Sequence, residues 1–108
     1  MTETTFKDLS PEMKKQKVWT MLTMLTDTHP IFRMLQRFMT IIPNISPVVF
    51  QFIHDAIIDI ATATKFDDTT MMKQKIQNTK TYISWLYEQE KKQNKNIDQE
   101  LENILETI

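Results

Sequence analysis

An all-α fold follows from three features of the sequence. No glycine occurs in its 108 residues. Apolar residues recur at helical spacing in five segments. Proline, serine, aspartate and asparagine separate those segments, and no alternating strand pattern runs beyond a few residues. At roughly 7% usage, an average chain of this length carries about seven or eight glycines. Glycine is the usual residue where the backbone takes a positive φ or closely approaches a ligand. Its absence removes the glycine-rich phosphate loop, the dinucleotide fingerprint and the glycine-containing hairpin. Three alanines stand beside thirteen isoleucines and many Lys, Asn and Thr. An AT-rich genome is therefore a second source of the same bias, but the chain must still fold without glycine.

The spacing predicts a compact bundle or orthogonal array of four main helices, about 11–26, 30–42, 47–65 and 69–93. A short C-terminal amphipathic helix follows at about 97–107. Helix is expected in more than 70% of residues, with no sheet. The domain reading is a flexible lead-in over 1–9, a helical domain over 10–95, and the C-terminal helix over 96–108. That last helix is expected to pack on the domain or on a partner.

Phe6 and Leu9 are possible anchors in the lead-in. Ser10-Pro11 starts the first helix, with serine as cap and proline at the first helical position. Val18, Met21, Leu22 and Leu25 share one face, with Trp19 and Met24 at its edges. That wide arc calls for neighbours on more than one side. His29-Pro30 starts the second helix, whose wheel divides cleanly. Ile31, Phe32, Met34, Leu35, Phe38, Met39, Ile41 and Ile42 fill one half, and Arg33, Gln36, Arg37 and Thr40 the other. Ser46-Pro47 repeats the starting device for the third helix. Gln51, Asp55, Asp59 and Thr62 form a narrow polar stripe on an otherwise apolar rod, so this helix is expected to be central. Ile58 projects beside the stripe. The expected core is Leu35, Phe38, Ile53, Ile57 and Ile60.

Asp67 and Asp68 provide a cap for the fourth helix. Its inner stripe is Met72, Ile76, Thr79, Ile83, Leu86 and Tyr87, and Trp85 lies well off it. Asn96 and Gln99 have capping-box spacing. Ile97, Leu101, Ile104, Leu105 and Ile108 then keep helical spacing in an acidic segment without Lys or Arg. Residues 71–95 carry six lysines against two glutamates, so the acidic helix is expected to dock near the fourth helix and cover Trp85.

The chain carries a net charge of −1, with 41% hydrophobic and 25% charged residues. No global field steers it to nucleic acid or anionic lipid. Zero cysteines exclude disulfides, thiolate nucleophiles and cysteine zinc sites. They fit a cytoplasmic location, as does an N-terminus with no signal-peptide pattern. The apolar run from Pro47 to Phe66 is interrupted by Gln51, His54, Asp55 and Asp59, which argues against a membrane span.

Catalytic patterns are sparse. His29 and His54 sit in no HExxH or ExxH pair. His54, Asp55 and Asp59 are the one compact His/acid group, and a solvated helix edge explains them better than a metal or proton-transfer site. Ser10 and Ser46 read as caps and Ser84 as a surface residue, so no serine nucleophile is indicated. No cofactor or metal is called for. Arg33 and Arg37 are candidate anion contacts beside scattered lysines, but a nucleic-acid partner is disfavoured: the helix that would read bases opens on Val48, Val49, Phe50, Phe52 and Ile53. The reading reached is a non-enzymatic interaction or structural module that buries apolar helix faces against a protein partner or itself, most simply as a homodimer. Trp19, Met24, Ile58, Trp85, Leu101 and Leu105 are its candidate interface residues. A small nucleic-acid-associated regulator is the alternative, and an enzyme or metal site at His54/Asp55/Asp59 the weaker one.

Overall fold

Proline at the first helical position recurs three times, and each time the residue before it caps the helix. Ser10 Oγ accepts the Met13 N–H at the start of α1 (Pro11–Leu25). His29 Nδ1 accepts the Ile31 N–H at the start of α2 (Pro30–Ile41), at 3.0 Å. Ser46 Oγ accepts the Val49 N–H at the start of α3 (Pro47–Lys65). All three caps have extended backbone, which the following proline favours. Asp68 Oδ1 accepts the Met71 N–H in the first turn of α4 (Thr69–Asn94). The last helix is α5 (Gln99–Thr107). The computed structural model describes residues 5–42, 45–94 and 99–108. The expected start of the last helix at Ile97 and its Asn96 cap lie outside them. Helix makes up 85% of the described residues, and no strand occurs among them.

The turn from α3 to α4 shows how the chain manages without glycine. Asp67 takes φ 52°, the one positive value among the described residues. Its N–H donates to Thr64 O, and the Asp68 N–H donates to Ala63 O at 2.8 Å. This is the doubly bonded helix end that usually places glycine at the left-handed position. Aspartate is one of the few other residues that tolerate it.

α1 and α4 each pack against both α2 and α3, so the four helices form a ring with α2 and α3 on a diagonal. The expected core residues Leu35, Phe38, Ile53, Ile57 and Ile60 are all buried there. Val18 and Leu22 of α1 and Ile83 and Tyr87 of α4 complete it. The radius of gyration is 14.0 Å, near the about 13 Å of a compact 100-residue domain.

The lead-in is tied down where the structure describes it. Phe6–Asp8 form one 3-10 turn, and Phe6 is buried. Its ring stacks on His54 of α3 at 4.0 Å and lies 5.9 Å from the Lys14 ammonium of α1. Lys14 is itself buried by this contact, although its sequence context reads as a solvated turn.

Candidate interaction surfaces

Where the inward stripes run out, several large apolar side chains remain on the surface. Met24 is 79% exposed, Val48 73%, Trp85 56%, Ile58 43% and Trp19 39%. Four of these were expected as interface residues from their helical phase alone. Leu101 and Leu105 behave differently. Leu101 is fully buried within its own chain, and Leu105 packs against the same core. They are core contacts of α5 rather than exposed interface positions, because α5 docks in cis with that stripe turned inward.

Trp19 belongs to a groove. The α1 side chains Met13, Gln16 and Trp19 form one wall, Met39 and Thr40 of α2 form the other, and Glu12 and Lys15 stand at the rim. Its volume is about 610 Å³. Met39 is buried and forms part of the floor, so the groove opens onto the core layer. The wide apolar arc of α1 is therefore covered on its Val18–Leu22 side and left open at Trp19, Met13 and Met24.

Trp85 is not covered by α5, contrary to the sequence expectation. α5 packs on α2 and approaches α4 along Lys80, Ser84, Tyr87 and Lys91. Residues two apart on a helix diverge by about 160°, so Trp85 faces away from Tyr87. It stands one turn from Tyr82, whose ring meets Phe52 of α3 edge-on at 4.1 Å. Val48 lies one turn before Phe52 on the same face of α3. The spacing thus gathers Val48, Phe52, Tyr82 and Trp85 along the outer seam of α3 and α4. Ile58 lies apart from this seam, 43% exposed at the edge of the polar stripe of α3, next to Gln51 and Thr62 on the wheel.

Three cations are held in ion pairs between helices. Arg37 pairs with Glu100 of α5 at 3.6 Å, and Lys75 pairs with Asp59 at 3.3 Å. Lys91 Nζ donates to Glu102 Oε1 at 2.8 Å, with Glu88 at 3.8 Å. The hydrogen bond to Glu102 raises the Lys91 pKa above its ordinary value, against the opposing effect of partial burial. Arg33 lines a polar groove of about 470 Å³ between the α1–α2 turn and α5. Asp27 and Glu100 share that groove, so its charge is mixed rather than anion-selective. The structure thus separates the two candidate anion contacts: Arg37 is paired, and Arg33 stands beside acids.

His54, Asp55 and Asp59 do not converge. His54 Nδ1 lies 3.3 Å from Asp55 Oδ1, which also accepts from Gln51 Nε2. Asp59 turns to Lys75 instead, and the His54 ring is stacked on Phe6. Among the described residues no three His, Asp or Glu side chains come together as metal ligands. No described helix is long and apolar enough to cross a membrane.

The site residues that sequence reasoning missed are Met13, 54% exposed in the groove wall, and above all Met39. The helical phase of Met39 marks it as core, and only the packing of α2 beside α1 turns it into a groove floor. No protein-family model, curated protein or solved structure matches this chain.

Proposed function

We propose that this chain is a non-enzymatic helical module that binds a protein surface through the α1–α2 groove. The observation that carries the reading is Trp19 with Met13 beside it and Met39 beneath, in a concavity rimmed by Glu12 and Lys15. Tryptophan is enriched among the residues that dominate interface energies. Methionine adapts its shape to an inserted side chain. An amphipathic helix laying its apolar face into such a groove is a recurrent recognition mode. The net charge of −1 and the apolar opening of α3 give little support to a nucleic-acid role, which draws on a clustered basic surface facing phosphate.

The test is photo-crosslinking in the native cell. A photoreactive residue replaces Trp19 in one variant and Gln74, on the exposed face of α4, in another. The reading expects a discrete protein adduct from position 19, whether another protein or a second copy, well above that from position 74. Equal, diffuse labelling from both positions would overturn it.

A further inference from the structure

We propose that α5 is an exchangeable helix, and that the groove it fills between α2 and α4 takes up α5 of a second copy. The first observation is what holds α5 in place. It has nine residues, too few to stay helical alone in water. Its helicity is sustained by docking: Leu101 is fully buried, and Ile104, Leu105 and Ile108 pack on the core. The second is that its polar contacts are specific. Glu100 meets Arg37 of α2, and Glu102 meets Lys91 of α4. These two ion pairs, one on each side of the groove, define its occupant as an acidic amphipathic helix with this apolar stripe.

The third observation lies in the joining sequence. The residues between Asn94 and Gln99 are Lys95, Asn96, Ile97 and Asp98. None is proline or glycine, so covalent geometry does not force α4 and α5 apart. Every contact of α5 with the groove is therefore available to the same helix from another copy, and a helix joined through a short connection exchanges at low cost. The exchange is reciprocal, so it closes as a two-fold dimer rather than growing into a fibre. The inference draws on the interaction reading above only in that the chain meets a copy of itself. It uses a different surface from the Trp19 groove.

Arg33 and Asn103 line one groove across the α2–α5 contact, and the natural chain has no cysteine. Two full-length single variants, Arg33→Cys and Asn103→Cys, are mixed at high micromolar concentration and oxidised gently. Exchange brings the two introduced thiols together across copies, so the mixed disulfide dimer should form at least tenfold faster than a mixture of Arg33→Cys with Gln74→Cys. The double variant, closed within one chain at high dilution, should then stay monomeric when concentrated. Equal coupling rates for the two mixtures would overturn the proposal. So would amide exchange across α5 that matches global unfolding and shows no dependence on protein concentration. Either failure leaves the crosslinking outcome at position 19 untouched, so the two readings fail separately.

Discussion

The Phe6 ring lies flat on the His54 imidazole, with centroids 4.0 Å apart and planes 8° from parallel. This contact joins the first described turn of the chain to the middle of α3, with Lys14 of α1 closing it from the other side. Phe6→Ala should destabilise the fold by about 3 kcal/mol, combining lost burial with the cavity left behind. Phe6→Leu should recover most of that. Urea unfolding of the two variants measures both values. A Phe6→Ala change within a few tenths of wild type would mean that the turn is an appendage rather than part of the core.

Ile57 of α3 and Phe38 of α2 are buried in one core, on the two helices that lie diagonally across the ring. Truncating either to alanine should cost about 2–5 kcal/mol. The two changes should add within about 0.5 kcal/mol if the sites are independent, and less cleanly if they share a cavity. Thermal and urea unfolding of the single and double variants decide between those cases.

His29 makes stability depend on pH. Burial lowers its pKa below the ordinary 6.5, while its Nδ1 serves as the acceptor that caps α2. Protonation is therefore easier in the unfolded chain. The stabilisation is complete above about pH 6.5 and is lost as pH falls through the lower folded-state pKa. His29→Ser keeps a capping acceptor without the titration. The stability difference between wild type and this variant should be flat above about pH 7 and shift against wild type below about pH 6.5. A difference that never moves with pH would show that His29 titrates alike in both states.

Much of the helix ring was legible because its signals are local. Ser10-Pro11, His29-Pro30 and Ser46-Pro47 each combine a cap with a proline, and each starts a helix where expected. The clean wheel of α2 gave its buried side correctly, from Ile31 to Met39. What stayed hidden depends on which helix lies next to which. Helical phase says that Trp85 is off the inner stripe, but not that α5 settles on the Tyr87 side. The burial of Lys14 depends on Phe6, an aromatic eight residues earlier that no periodic pattern connects to it. The Trp19 groove depends on Met39, whose phase marks only an inward side chain.

The position of α5 gives a spectroscopic prediction. Leu101→Ala should cost about 2–4 kcal/mol, since a fully buried leucine is truncated. In a Trp19→Phe background, native-state emission from Trp85 should stay where it is, because α5 lies on the far side of α4. A red shift on Leu101→Ala below the unfolding transition would place α5 over Trp85 after all.

Asp67 holds the left-handed position that ends α3. Asp67→Ala should destabilise by about 1 kcal/mol, because alanine resists positive φ more strongly. Asp67→Asn should be near neutral and Asp67→Gly slightly stabilising, by up to about 1 kcal/mol. Urea midpoints ordered Gly, Asn, Asp, Ala from high to low would match this account, and an alanine variant equal to wild type would contradict it.

The gain at Asp67→Gly stays small for a reason that reaches beyond that turn. Glycine relieves native strain, yet it also enlarges the set of conformations open to the denatured chain. Each glycine in a helix interior or strand weighs against folding by roughly 0.5–1 kcal/mol relative to alanine. With none in its sequence, this protein folds from a denatured ensemble already narrowed at every site where another chain would carry one. The strain at Asp67 is local, while the narrowing is spread along all five helices and takes effect before any native contact forms.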